Sequence, residues 1–161
     1  MPGASDNSLN VPVLIVGGGP TGLVLSIELG QKGVASLVVE QNPGTATFPK
    51  ANLTSARSME HYRRLGFSRQ FRKMGLPEDY PQDVSFWTRY STHELARLKV
   101  PSAREALAMD AAQRGNWMTP ELPHRAQQIA FAVLLRQQAE QHSEVELRYG
   151  WRLVNFEDCG S

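Results

Sequence analysis

The chain has 161 residues and a near-even charge balance, 17 Lys and Arg against 16 Asp and Glu, so one domain with a buried core is the expectation. That balance removes any global electrostatic case for nucleic acid or an anionic membrane as partner. The lone cysteine, Cys159, excludes an intramolecular disulfide framework or a multi-cysteine metal cluster and fits a reducing cytoplasm.

The opening MPGASDNSLN lacks the basic and apolar regions of a secretory signal, and no apolar run approaches a membrane span. Residues 1–10 read as a short flexible tail on a soluble intracellular chain. Val11–Val16 is short, β-branched and followed by glycines, which suits a buried parallel strand. Thr21–Gln31 reads as a helix in which Leu23 and Ile27 are joined by Val24, Leu25 and Leu29 in a broad apolar face, ended by Gly33. Ser36–Val39 is a second strand. Strand, glycine turn, helix and strand together take about 30 residues, the size of a βαβ crossover.

Gln41–Lys50, with Pro43, Gly44 and Pro49, reads as a loop. Ala51–Leu65 is expected to be a helix closed by Gly66, and Ser68–Met74 a short basic one. Val84–Tyr90 and Glu94–Val100 read as an antiparallel hairpin turning at Ser91-Thr92-His93. Ser102–Leu122 shows no clear period and is taken as loop with a helical turn around Arg104–Met109. His124–His142 is expected as a helix with Ile129, Val133, Leu134 and Ala139 on one side. Val145–Tyr149 and Arg152–Phe156 then alternate as strands. The expected architecture is α/β: a Rossmann-type βαβ unit interrupted by a helix and an antiparallel hairpin, with an ending that looks truncated.

Gly17, Gly19 and Gly22 form G-x-G-x-x-G between the first strand and the first helix. The first glycine permits the tight turn, the second lets backbone approach a pyrophosphate, and the third allows helix and strand to pack closely. The free N–H groups at Thr21 and Gly22 and the positive end of the helix dipole favour phosphate. Pro20 costs nothing in a first turn whose N–H has no intrahelical partner. Glu40 ends the second strand where an acid accepts hydrogen bonds from an adenosine ribose, and where it repels a 2′-phosphate. A dinucleotide site is the reading, against a tight turn without ligand. A plain NAD domain continues into another helix and a third parallel strand; the loop, helix and hairpin that follow Glu40 favour FAD instead.

Three segments in order, VLIVGGGPTGLVLSIELGQKGV with VVEQ, then ANLTSARSMEHYRRLG, then HRAQQIAFAVLLRQQAE, resemble the N-terminal portion of the class A flavoprotein monooxygenases. These are FAD-dependent aromatic hydroxylases similar to p-hydroxybenzoate, phenol and polyketide hydroxylases. The resemblance covers Val11 to about Asp158 and implies a fold whose chain continues into motifs and a substrate sheet not found in these 161 residues. It implies that Gly17, Gly19, Pro20, Thr21 and Gly22 sit on the FAD pyrophosphate, that Glu40 holds the adenosine ribose, that Arg57 lies near the phosphates and ribityl chain, and that Gln128 touches the flavin linker. Guanidinium suits phosphate because it offers several fixed donors. Two departures stand out: Lys50-Ala51 where the family often has Arg-Ala, and Phe131-Ala132-Val133 where Leu-Glu-Pro commonly follows the glutamine.

The resemblance also implies NADPH or NADH as reductant, molecular oxygen and a small aromatic substrate, no nucleic acid, no membrane, and an oligomeric state that stays open between monomer and homo-oligomer. No catalytic side chain is named by it. Two alternatives remain: a catalytically inactive nucleotide-binding fragment, and one half of an NAD-dependent dehydrogenase. Metal is not expected, because His61, His93, His124 and His142 are scattered and read as surface or locally bonded. Cys159 reads as inert. Arg63, Arg64, Arg69, Arg72 and Lys73 read as a solvated face rather than a docking surface. Phe86, Trp87 and Tyr90 read as packing rather than as the lining of an aromatic pocket, and the hairpin 84–100 as the start of a substrate-covering sheet.

Overall fold

The structure, a computed structural model, describes residues 9–48, 50–89, 92–113 and 119–160. The chain divides into two compact units, one built from residues 1–50 and 128–161 and the other from 51–127. Of the expected N-terminal tail, residues 1–8 lie outside the described residues.

The first unit is a three-stranded parallel sheet in the order β1 (Val13–Val16), β2 (Ser36–Glu40), β7 (Val145–Tyr149). The pairing runs in register from Val13 opposite Ser36 to Val16 opposite Val39, and from Ser36 opposite Val145 to Glu40 opposite Tyr149. Central β2 is buried from Ser36 to Val39, which is why its SLVV run is nearly continuous in apolar character rather than alternating. Helix α1 (Pro20–Gln31) crosses the strands, and α5 (Gln128–Ala139) packs against it.

The buried stripe of α1 is Leu23, Ser26, Ile27 and Gly30, a spacing of three and four that defines one helical face. It is narrower than the expected apolar face, since Leu25 is 45 % exposed. Ser26 enters the stripe because its hydroxyl donates to the Leu23 carbonyl at 2.8 Å, which satisfies the buried oxygen. Gly30 enters it because a Cβ there would lie 2.7 Å from His142 Cβ.

The second unit holds β3 (Leu53–Thr54), α2 (Ala56–Arg64), α3 (Ser68–Arg72), the hairpin β4 (Val84–Trp87) and β5 (Glu94–Leu98), α4 (Ala103–Gln113) and β6 (His124–Arg125). Its core is aromatic: Tyr62 lies 4.9 Å from both Phe67 and Phe71, and Phe71 meets the His124 ring edge-on at 5.8 Å. Gly66, with φ +94, lets the chain leave α2 and places Phe67 into that core.

Several expected elements change. The helix from Ala51 starts only at Ala56, because Leu53 and Thr54 pair antiparallel with Arg125 and His124, and Ser55 caps the helix by accepting the Ser58 N–H at 3.2 Å. The same pairing removes His124 and Arg125 from the expected long helix, which begins at Gln128. Its buried face is Phe131, Ala132, Leu134, Leu135 and Ala139, while Val133 is 43 % exposed. The stretch taken mostly as loop contains α4, opened by a reciprocal cap in which Ser102 N–H donates to Glu105 at 2.8 Å and Glu105 N–H to Ser102 at 3.2 Å. Arg152–Phe156 forms no strand: after Gly150 the backbone bonds to the end of β2, Gly150 N–H to Asn42 O at 2.9 Å and Trp151 N–H to Glu40 O at 3.0 Å, instead of folding back along β7. The hairpin forms, with an irregularity between Phe86 and Trp87. Tyr90 and Ser91 of its expected strand and turn lie outside the described residues.

Candidate nucleotide-binding site

The end of β1, the turn, the start of α1 and the end of β2 meet at the carboxyl edge of the parallel sheet, where open α/β sheets bind ligands. Gly17 adopts φ +110 and donates its N–H to Val39 O at 2.8 Å, which turns the chain sharply off the strand while keeping it tied to β2. A Cβ on Gly22 would lie 2.1 Å from Gly17 O, so the helix can approach the turn only without a side chain. A Cβ on Gly18 would lie 2.9 Å from Glu40 Cβ.

Gly19 differs from both. It is the N-cap of α1 with an extended backbone, and a Cβ there would meet nothing within 4 Å. Its missing side chain is not required by the protein's own packing; it leaves open space in front of the helix end. Pro20 occupies the first turn, and the first intrahelical bond is Leu23 N–H to Gly19 O at 3.0 Å. The Thr21 and Gly22 N–H groups are therefore without an acceptor among the described residues, at the positive end of a 12-residue helix. Open space, unused donors and a favourable dipole fit a phosphate group.

Glu40 closes the site. Gly18 N–H donates to Oε2 at 2.8 Å, and Asn42 donates twice to Oε1, from its backbone at 2.9 Å and its side chain at 2.6 Å. Burial by itself raises the carboxyl pKa, but these bonds and the charge of Lys50 outweigh it and hold Glu40 below the ordinary glutamate value. The side chain is thus an oriented carboxylate, as hydrogen bonding to ribose hydroxyls requires. Gly17, Gly19, Pro20, Thr21, Gly22 and Glu40 are brought together in one unit.

Gln128 opens α5, as its place in the third segment implies, and is 8 % exposed, a buried polar side chain in the same unit. Arg57 stands in the other unit on α2, with a side chain that is 78 % exposed and donates to Glu60 at 2.8 Å. Glu60 is held from its other oxygen by the Thr119 hydroxyl.

Gly18 and Asn42 join this site through their bonds to Glu40, although neither was among the residues expected there. The signals were the middle glycine of the GGG run and an amide two residues past the acid, a spacing from which a side chain can bond back to its neighbour. The basic run is not simply a solvated face: Arg72 pairs with Glu121 at 2.5 Å and donates to Leu122 O at 2.7 Å, and Arg63 donates to Pro120 O at 3.1 Å. His124 is buried, not on the surface, with Nε2 2.7 Å from Met74 O. Of the aromatic residues of the hairpin expected to pack, Phe86 is 56 % and Trp87 38 % exposed, and Tyr90 lies outside the described residues. Cys159 is exposed. No cluster of three metal-ligating side chains occurs among the described residues, and no helix among them is long and apolar enough to cross a membrane.

The chain is similar to proteins of known family. Residues 10–160 match the family described as FAD binding domain. An FAD-dependent monooxygenase of Emericella nidulans is 33 % identical over 142 residues, covering 88 % of this chain and 23 % of that protein. Tetracenomycin B2 monooxygenase-dioxygenase of Streptomyces olivaceus is 27 % identical over 161 residues, covering 92 % and 28 %. Among solved structures, the rebeccamycin biosynthetic enzyme RebC with reduced flavin superposes with a TM-score of 0.75 at 36 % identity, over 92 % of this chain and 26 % of that one. The chain thus spans about a quarter of the length of these proteins. With a match over nearly its whole length, the chain belongs to the FAD binding domain family, as the N-terminal part of the class A flavin hydroxylases.

Proposed function

We propose that the chain is the FAD-binding segment of an NADPH- or NADH-dependent flavoprotein monooxygenase that hydroxylates an aromatic substrate. The observation that carries the reading is the pairing of open donors at the start of α1 with the oriented Glu40 carboxylate across one short turn. In this reading Gly17 and Gly22 shape the turn, Gly19 leaves room for the pyrophosphate, Pro20 pre-sets the first helical turn, and the Thr21 and Gly22 N–H groups bond phosphate oxygens. Glu40 accepts the adenosine ribose. Arg57 serves the phosphates and ribityl chain, with four further N–H donors beyond the one given to Glu60, and Gln128 the flavin linker.

Bound FAD would supply the redox chemistry, taking electrons from the pyridine nucleotide and using oxygen on the ring. What this chain's own residues contribute is binding and placement: they fix one end of the cofactor and leave the reacting end to be presented elsewhere. Exposed Phe86 and Trp87 on the hairpin are the side chains suited to an aromatic ring, and the hairpin would begin a substrate-covering sheet. A reducing cytoplasm suits the lone, exposed Cys159.

A second reading is favoured by the length ratio: a nucleotide-binding segment that performs no turnover by itself. The NAD-dehydrogenase reading is disfavoured, because the third parallel strand, β7, arrives only after the whole 51–127 unit. The test is a titration of the purified chain with FAD, read by quenching of flavin fluorescence, beside an identical titration with NAD. Saturable binding of FAD over NAD is the expected result; a folded chain that binds neither, or binds NAD more tightly, overturns the flavin reading. NADPH oxidation with FAD supplied then separates the monooxygenase from the silent segment.

A further inference from the structure

We propose that Asn42 is a second ribose-recognition residue, accepting through Oδ1 one of the two adenosine ribose hydroxyls while Glu40 accepts the other; this rests on the FAD reading above. An ionised carboxylate has about four acceptor positions. Gly18 N–H takes one on Oε2, and the Asn42 backbone and side-chain N–H groups, at 2.9 and 2.6 Å, take both on Oε1. One position is left, on Oε2. A ribose diol brings two hydroxyl donors to an acid that has room for one.

Asn42 supplies the missing acceptor. Only its NH₂ can face a carboxylate, so the bond to Glu40 forces the amide carbonyl to the opposite side. Among the described residues no donor is bonded to that Oδ1. The backbone at Asn42 is pinned on both sides, its N–H to Glu40 and its carbonyl accepting Gly150 N–H at 2.9 Å, so the amide is presented from a fixed base rather than from a free loop. Asn42 also lines a cavity of about 450 Å³ formed by the loop from Asn42 to Lys50, a volume within the range of small-ligand sites. In number, the amide carbonyl and the remaining Oε2 position supply two acceptors for the two donors of a cis-diol.

The test uses the whole chain and four ligands: FAD, ADP, 2′-deoxy-ADP and 3′-deoxy-ADP, the last three measured by calorimetry. In the wild type each deoxy analogue is expected to bind more weakly than ADP. Asn42→Ala keeps both backbone bonds and is expected to weaken FAD and ADP about five- to tenfold, the worth of one hydrogen bond. One deoxy analogue, the one lacking the hydroxyl that Asn42 accepts, is expected to bind Asn42→Ala as well as it binds the wild type. Isosteric Asn42→Asp, which loses the NH₂ and sets a second carboxylate against Glu40, is expected to weaken ADP at least as much. Equal losses for ADP and both deoxy analogues, or unchanged ADP binding by both variants, overturn the assignment while leaving the FAD reading intact. A wild type that binds no FAD overturns both.

Discussion

Gly19 and Gly22 separate what a glycine does for the fold from what it does for a ligand. A methyl group on Gly22 would sit 2.1 Å from Gly17 O, whereas one on Gly19 would touch nothing within 4 Å. Gly22→Ala is expected to cost about 1–3 kcal/mol of stability in chemical denaturation, the range for forced overpacking. Gly19→Ala is expected to leave stability within about 0.5 kcal/mol yet to weaken FAD at least about tenfold, roughly 1.4 kcal/mol, because the methyl fills the space held for phosphate. Loss of stability in both, or unimpaired FAD binding by Gly19→Ala, would contradict this division. Glu40→Gln is expected to weaken FAD roughly ten- to hundredfold, the worth of a hydrogen bond to a charged group, about 1.5–3 kcal/mol. Since the bonds from Asn42 and Gly18 and the charge of Lys50 outweigh burial and hold the Glu40 carboxyl below its ordinary value, its contribution is present above the unfolded-state value and fades only as pH falls through the lower folded one. FAD affinity measured down an acid series should therefore hold through the ordinary glutamate range and fall below it.

Among elements, β3 and β6 carry more than their two residues each suggest. Their pairing starts both expected helices late, at Ala56 and Gln128, and buries His124 against Phe71. Burial holds the His124 ring below its ordinary pKa, with Arg72 adding to the effect and the bond to Met74 O opposing it. The unfolded chain then takes up the proton first, so stability is complete at neutral pH and declines as pH falls from the ordinary histidine value through the folded one. The denaturation midpoint of the wild type should drop as pH falls below the ordinary histidine range. His124→Gln should start lower, by about 1–3 kcal/mol for the disturbed buried bond, and should show a flatter acid slope; an unchanged slope would mean another group titrates. These elements also mark the limit of periodicity. The helix of α1 and the strands β1 and β2 were legible because their glycine, apolar and β-branched spacing is local. Leu53-Thr54 and His124-Arg125 were not, since a two-residue strand has no period and exists only through a partner some seventy positions away in the chain. The α4 helix was legible in principle from Ser102-x-x-Glu105 followed by a run rich in Ala, a cap signal that outranked its weak amphipathic pattern.

For the molecule as a whole, the first unit is assembled from two separated pieces of chain, and its third strand comes from the far end of the sequence. Among the described residues β1 has one strand neighbour, β2, and Leu14 and Val16 are 47 % and 57 % exposed while their register partners Leu37 and Val39 are buried. What local pattern settled is the βαβ turn, the glycine spacing, the acid at the end of β2 and, with the two later segments, the FAD reading, because each depends on residues close together in the chain. What only tertiary contact settled is the set of bonds that Asn42 makes to Glu40 and Gly150, the fate of 152–156 and the two short strands. Each turns on which backbone or amide group finds a partner across the fold, and hydrogen-bond partners distant in sequence leave no periodic trace in it.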